Sequence, residues 1–203
     1  MPNLVLAVRL ADGGGLWVWS IDSGGSLIHF LGMDGSDTPI NVLCIGTTGM
    51  LAGMTSELVS SGHRVYAIAR TAQSLERCAL GIPEEHRDGY VGCRCDYSDP
   101  ESWARELDEI PDPIDQVVCW IHGSAPHAFD QVLERFSGSD ILRVGPSSTC
   151  VADAASQNYR TVILGALRDG TSIRWLTHEE ISAGVMDAIW SRERVSVVGL
   201  IGD

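Results

Sequence analysis

Short, continuous apolar runs alternate with helical segments from residue 41 to the end of the chain. Runs that are apolar at every position, rather than at alternate positions, are typical of strands buried on both faces of a parallel sheet. We therefore predict an α/β fold, a doubly wound parallel sheet of the Rossmann type. The predicted strands include residues 42–45, 65–69, 117–121, 141–144, 161–165 and 195–201.

The segments between these runs carry apolar residues at helical spacing. After the first strand, Leu51, Met54 and Leu58 predict a helix that ends at Ser61-Gly62. Gly53 in this helix is expected where helix and strand pack closely. Further helices are predicted over about 99–110, 125–136 and 178–189, the last one with a capping box at its start.

The first forty residues have a different pattern. Strand-like runs at 4–10, 16–21 and 27–31 are separated by glycine-rich stretches that look like hairpin turns. Three interpretations of residues 1–38 stay open: a β-hairpin or meander extension, a flexible leader, or residues ahead of a natural start near Met33. A three-stranded ribbon cannot bury both faces alone, so an extension would need the main domain or a partner subunit, as in a homo-oligomer, to cover it.

The turn after the first strand reads Gly46-Thr47-Thr48-Gly49-Met50-Leu51. Glycine there lets the phosphates of a nucleotide approach backbone N–H groups at a helix N-terminus, where a side chain would intervene. Strand, glycine turn, helix and strand together form the βαβ context that this motif requires. We expect residues 39–203 to be an NAD(P)-binding Rossmann-like domain. The alternative is that the glycine turn only lets the backbone bend and binds no nucleotide.

Arg70, at the end of the second strand, indicates which nucleotide binds. In a dinucleotide fold an acid at this position binds the ribose 2′-OH, whereas an arginine accommodates a 2′-phosphate. No acid occurs at residues 67–71. The sequence therefore favours NADP over NAD, unless Arg70 is only a solvated charge at a strand end.

Residues 48–53 are similar to the TGxxxGxG signature of short-chain dehydrogenases/reductases, with Thr55 in place of the last glycine. Asp96 and the backbone of Tyr97 lie in a segment similar to the one that meets the adenine in that family. His122-Gly123-Ser124 resemble the family's stretch along the cofactor, and residues 174–201 look like the tail of compact bacterial members. The resemblance implies an atypical short-chain dehydrogenase/reductase that binds a nicotinamide dinucleotide.

The catalytic half departs from that family's pattern. The family uses a Tyr as general acid or base, a Lys four residues later, and a Ser about a dozen residues upstream. Ser147 and Tyr159 match the Ser to Tyr spacing, but Ile163 stands at the Lys position, in a segment predicted as a strand. Tyr159 is our candidate proton donor and Ser147 would orient the substrate, with His122 and Ser124 as competitors.

The charge and cysteine content of the chain bear on which partners and ligands it can bind. The chain has 27 acidic and 14 basic residues, a formal net charge of −13 and no basic stripe, which disfavours nucleic acid and anionic membranes. Cys44 and Cys119 are expected to be small buried residues of the core. The Cys93-Arg94-Cys95 spacing is too short for a zinc pair, so no metal site is predicted. The apolar start at residues 4–8 is too short to cross a bilayer, and the cytoplasm is the expected location.

Three functions are consistent with these features. The first is an NADP-dependent oxidoreductase that acts on a small carbonyl or imine substrate. The alternative is a sensor or regulatory protein that binds NADP(H) without turning it over, because the family's Lys is missing. A third is a structural module that kept the fold and lost the ligand.

Overall fold

The computed structural model of the 203-residue chain describes residues 5–10, 16–21, 27–33, 38–121, 125–146, 158–169, 172–191 and 193–201. The chain divides between Pro39 and Ile40 into two compact units. The first unit contains an antiparallel sheet whose strands follow in chain order, β1 (Val5–Leu10), β2 (Leu16–Ile21) and β3 (Leu27–Met33). These strands overlap the three apolar runs at the N-terminus. Whether residues 1–38 are an extension, a leader or residues ahead of a natural start stays open.

The second unit is organised by a seven-stranded sheet. Its strands are β4 (Asn41–Ile45), β5 (Arg64–Ala69), β6 (Tyr90–Arg94), β7 (Gln116–Cys119), β8 (Asp140–Pro146), β9 (Arg160–Leu164) and β12 (Val195–Val198). The order is β12-β9-β8-β7-β4-β5-β6, and all neighbouring strands are parallel. Because β4 lies inside the sheet and the chain winds outward on both sides of it, the predicted doubly wound α/β fold is confirmed.

Five α-helices of the described residues pack on the two faces of this sheet. They are α1 (Ala52–Ser60), α2 (Ala72–Leu80), α3 (Pro100–Glu109), α4 (Pro126–Arg135) and α5 (His178–Trp190), with a 3-10 helix at Glu84–Gly89. Apolar residues of α1, α2 and α5 share one core cluster with the strands, and those of α3 and α4 share the other. The predicted helices are therefore present, with ends that differ by no more than two residues.

Successive residues of the central strands belong to opposite cores. Val42 and Cys44 face the cluster with α1, whereas Leu43 and Ile45 face the cluster with α3, and all four are fully buried. This two-sided burial is why the strands are apolar at every position. Cys44 and Cys119 are buried as predicted, and burial raises the pKa of the Cys44 thiol to about 12.

The polypeptide between β9 and α5 forms a hairpin that the sequence pattern did not predict. Its strands, β10 (Ala166–Asp169) and β11 (Ser172–Trp175), pair antiparallel. The last strand is shorter than predicted: β12 ends at Val198, and Gly199, with φ of +85°, turns the chain so that Leu200 pairs with Ala166. The predicted strand over 195–201 was therefore wrong at its end.

The predicted role of Gly53 was also wrong. Gly53 faces α5 rather than a strand, and a Cβ atom on it would lie 3.1 Å from the Ser182 hydroxyl oxygen. That hydroxyl donates to the carbonyl of Met50 at 3.1 Å. Glycine at this position therefore permits close packing of α1 on α5.

No helix in the described part of the chain combines the length and the apolar character needed to cross a bilayer. The described ranges also contain no group of three or more His, Cys, Asp or Glu side chains that could hold a metal ion.

The capping box of α5 gives a pH-dependent prediction. Glu180 accepts from Arg174 at 2.7 and 2.8 Å and from the Thr177 N–H at 2.8 Å, and these bonds lower the pKa of Glu180 to about 2. Because the folded pKa lies below the ordinary value of 4.5, the stabilisation is present above pH 4.5 and is lost as the pH falls towards 2. We expect Glu180→Gln to lower the free energy of unfolding by about 1 kcal/mol at pH 7.

Urea unfolding at several pH values from 7 to 3 measures this difference. Glu179→Gln is the matched control, since Glu179 is an exposed acid in the same helical turn. A Glu180→Gln effect that stays constant down to pH 3 would contradict the lowered pKa.

Candidate functional site

The turn between β4 and α1 has an open face at Gly49. A Cβ atom on Gly49 would meet no atom within 4 Å, and Gly49 is exposed. No side chain caps the start of α1, and the N–H groups of Gly49, Met50 and Leu51 have no hydrogen-bond acceptor among the described residues. Unpaired N–H groups at a helix N-terminus, with free space in front of them, suit a phosphate.

Glycine is needed at position 46 for the conformation and packing of the backbone, not for access to the open face. Its φ is +71°, and an added Cβ would overlap the carbonyl oxygen of Trp120, which follows β7. The sequence interpretation assigned both glycines of the turn to phosphate approach. At Gly46 the structure gives a different reason for glycine, and at Gly49 the assignment stays a prediction. Thr47 is fully buried, and its hydroxyl lies 3.0 Å from that of Thr55.

Thr55 stands where the resemblance expects a third glycine. It is fully buried, and its hydroxyl donates to the Leu51 carbonyl at 3.3 Å as well as contacting Thr47. The departure from the family signature is therefore accommodated by hydrogen bonds inside the turn and places no side chain on the open face.

Arg70 and Asp96 follow the next two strands at the same edge of the sheet. Arg70 comes directly after β5 and Asp96 two residues after β6, and both are exposed. One Asp96 carboxylate oxygen, Oδ1, accepts from the Ser98 N–H at 3.0 Å and from its hydroxyl at 2.8 Å. These bonds, with a smaller contribution from the charge of Arg70, hold the pKa of Asp96 below its usual value. The other carboxylate oxygen, Oδ2, has no partner among the described residues.

Tyr97 is fixed by two contacts that cross the fold. Its ring packs edge-on against Trp103 of α3, with 6.1 Å between ring centres. Its carbonyl oxygen lies 3.0 Å from Nε2 of His127 in the first turn of α4. Sequence reasoning missed His127 because the contact joins residues thirty positions apart and no local motif marks it.

Tyr159 lies on a different part of the sheet from these residues. It precedes β9, which is separated from β4 by β7 and β8, and it is only 5% exposed. Its ring packs edge-on against Phe129 at 4.9 Å, and its phenol oxygen accepts from Nη1 of Arg143 at 3.3 Å. The predicted residues His122, Gly123, Ser124 and Ser147 lie outside the described residues.

The position of the family's Lys is occupied by a strand residue. Ile163 is 3% exposed inside β9, and the sequence contains no lysine at all. The predicted strand is thus confirmed here. The structure brings the turn 46–51, Arg70, Asp96 and Tyr97 together at one edge of the sheet. Tyr159 instead belongs to the core cluster that contains α3 and α4.

Comparison with solved structures identifies the fold. A bulky-bulky ketone specific alcohol dehydrogenase from Comamonas testosteroni has a TM-score of 0.63 and 12% identity over 81% of this chain and 87% of its own. A Thermococcus sibiricus alcohol dehydrogenase complexed with 5-hydroxy-NADP has a TM-score of 0.60 and 15% identity over 80% and 96%. A Sphingobium yanoikuyae short-chain dehydrogenase in complex with NADPH has a TM-score of 0.60 and 14% identity over 78% and 87%.

At these identities the likeness is one of fold. The chain has the Rossmann-like fold of short-chain dehydrogenases/reductases, which confirms the resemblance at that level. No protein-family model matches the chain, and neither does any curated protein.

Proposed function

We propose that this protein binds NADP(H) and is an oxidoreductase of the short-chain dehydrogenase/reductase kind that acts on a small carbonyl or imine compound. The observation that carries the proposal is the open face at Gly49. In the described part of the chain, the N–H groups at the start of α1 lack acceptors and no atom lies within 4 Å of an added Cβ. Solved structures of the same fold with NADPH or 5-hydroxy-NADP bound support it by analogy.

The residues of this edge fit such a cofactor. The N–H groups from Gly49 to Leu51 would receive the pyrophosphate, with Gly46, Thr47 and Thr48 forming the turn beneath it. Arg70 would bind the 2′-phosphate, since its guanidinium is exposed and no acid occupies residues 67–71. Asp96 keeps one carboxylate oxygen free for the adenine amino group, with Tyr97 beside it, and His122 to Ser124 would follow the nicotinamide half.

The bound cofactor would exchange a hydride with the carbon of the carbonyl or imine group. The chain has to exchange the proton on the neighbouring oxygen or nitrogen. Tyr159 is the proposed donor, because its phenol oxygen accepts from Arg143 while its own proton has no acceptor among the described residues. Ser147 would orient the substrate.

A second candidate function is binding without turnover. It is favoured by two observations: the chain has no lysine, and Tyr159 is 5% exposed. A sensor would use the same Gly49 face and the same Arg70, so both functions predict cofactor binding and differ only in catalysis.

Replacing Arg70 tests the cofactor assignment. We expect Arg70→Glu to weaken NADPH binding about tenfold to a hundredfold, because charge-assisted hydrogen bonds of this kind contribute roughly 1.5–3 kcal/mol. Binding of NADH, which has no 2′-phosphate, should change little. Fluorescence titration of both nucleotides measures the two affinities.

Arg105→Glu is the matched control, since Arg105 is an exposed arginine of α3 that donates to the Glu101 carbonyl of its own helix. Equal NADPH affinity in Arg70→Glu and Arg105→Glu would remove the NADP argument. Consumption of NADPH with a panel of aldehydes, ketones and imines then separates an oxidoreductase from a sensor.

A further inference from the structure

Arg143 is a half-buried arginine in a strand of the central sheet, and it has no carboxylate partner among the described residues. Its neighbours Leu142 and Val144 face the core with α1, so its side chain is on the α4 side. The guanidinium carbon lies 4.7 Å from the centre of the Phe129 ring, and Nη1 donates to the Tyr159 oxygen. A guanidinium has five N–H donors, and among the described residues only Nη1 of Arg143 has an acceptor.

The residues beside Arg143 in the sheet are neutral. Cys119 of β7 and Thr161 of β9 are its register partners. Burial raises the pKa of Cys119, so its thiol stays protonated. Thr161 is 1% exposed, and its hydroxyl has no hydrogen-bond partner among the residues that the structure describes. A buried hydroxyl without a partner is costly, and a ligand that accepts or donates there would remove the cost.

Arg143 and Thr161 lie level with the carboxyl ends of β4 and β7, while β8 continues to Pro146 and β9 to Leu164. Arg143 is in register with Cys119, the last residue of β7, and Cys119 is in register with Ile45, the last residue before the glycine turn. Phe129 belongs to the start of α4, which leaves from the same edge. Since β8 is two strands from β4, Arg143 is about 10 Å along the edge from the glycine turn.

We propose that Arg143 and the Thr161 hydroxyl bind a carboxylate of the substrate, which makes the substrate an oxo acid or the corresponding imino acid. The assignment to a substrate rests on the proposed function. Guanidinium binds carboxylate through paired N–H donors, and the half-buried position strengthens the bond relative to a solvated one.

A carboxylate bound to Arg143 would also position the substrate carbonyl group relative to Tyr159. A carboxylate on Arg143 brings a carbonyl one or two carbons away close to the Tyr159 phenol, whose oxygen is 3.3 Å from the guanidinium. In the reducing direction the carbonyl carbon would gain a hydride supplied by NADPH, its oxygen would gain the phenol proton of Tyr159, and the phenolate would regain a proton from water. The products are a hydroxy acid and NADP⁺.

Calorimetric titration of the unmodified protein tests the carboxylate site first. The probes are glyoxylate, acetoacetate, levulinate and 2-oxoglutarate, each with its neutral methyl ester, measured with and without NADPH. We expect at least one acid to bind about tenfold or more tightly than its ester. Equal binding of acid and ester for every pair, or no binding by any acid, would overturn the proposal.

Two variants then locate the binding. Arg143→Met should weaken the acid about tenfold or more and leave the ester unchanged, with Arg105→Met as the control. Thr161→Val should weaken the acid severalfold and at the same time raise the unfolding midpoint, because it removes an unpaired buried hydroxyl. A purely structural Arg143 and Thr161 would leave acid binding unchanged in both variants.

The outcomes separate this proposal from the proposed function. NADPH binding without any preference for acids would overturn the carboxylate site alone. Acid binding that depends on Arg143, in a protein that binds no nicotinamide nucleotide, would keep the anion site and overturn the oxidoreductase. If Arg143→Met does not fold, the comparison of acid and ester on the unmodified protein and the Thr161→Val variant still decide.

Discussion

Gly46→Ala is expected to destabilise the protein by about 3 kcal/mol. An L-residue at the φ of +71° found here costs roughly 1–2 kcal/mol, and the added methyl group overlaps the backbone carbonyl of Trp120. Overlap with backbone cannot be relieved by a side-chain rotation, so β4 and the end of β7 would have to separate, at a cost of roughly 1–3 kcal/mol. Urea unfolding should show a lower midpoint with an unchanged slope.

Gly49→Ala is the matched comparison within the same turn. An added Cβ meets nothing within 4 Å and the φ of Gly49 is not positive, so unfolding should change by no more than about 0.5 kcal/mol. Its methyl group would, however, stand on the open face, and NADPH affinity should fall. If Gly46→Ala unfolds like the unmodified protein, or if Gly49→Ala loses as much stability as Gly46→Ala, the division of roles between the two glycines is wrong.

The fold of the second unit could be predicted because its signals are local. Each central strand is buried on both faces, so its residues are apolar at every position whichever strands lie beside it. The hairpin of β10 and β11 could not be predicted in this way, because each strand has only four residues and neither is a continuous apolar run; all four residues of β11 are exposed. The role of Gly53 depends on Ser182, which lies far along the chain.

The grouping of Gly49, Arg70 and Asp96 at one edge of the sheet could be predicted for the same reason, and the contacts of Arg143 could not. Gly49, Arg70 and Asp96 each follow a strand, and parallel register brings the ends of neighbouring strands to one edge. A charged residue within an apolar strand gives no local sign of its contacts. The contacts of Arg143 with Phe129 and Tyr159, like that of His127 with Tyr97, exist only after the helices pack on the sheet. The functional roles of the edge residues stay predictions.

Arg160→Met is expected to lower the free energy of unfolding by about 3 kcal/mol or more. The guanidinium side chain is 11% exposed, donates to the carbonyls of Ala188, Ile189 and Ser191 at the end of α5, and pairs with Asp140. The last carbonyls of a helix have no partner within the helix, so Met would leave these acceptors buried and unpaired. It would also remove a positive charge from the negative end of the helix dipole.

Asp140→Asn separates the ion pair from the helix cap. The Asp140 side chain is 47% exposed, so loss of its charge should cost no more than about 1 kcal/mol while the bonds from Arg160 to α5 remain. Arg105→Met, at an exposed position, should be close to neutral. Urea unfolding of the three variants measures the differences, and equal losses in Arg160→Met and Asp140→Asn would show that the ion pair, rather than the capped end of α5, holds β8, β9 and α5 together.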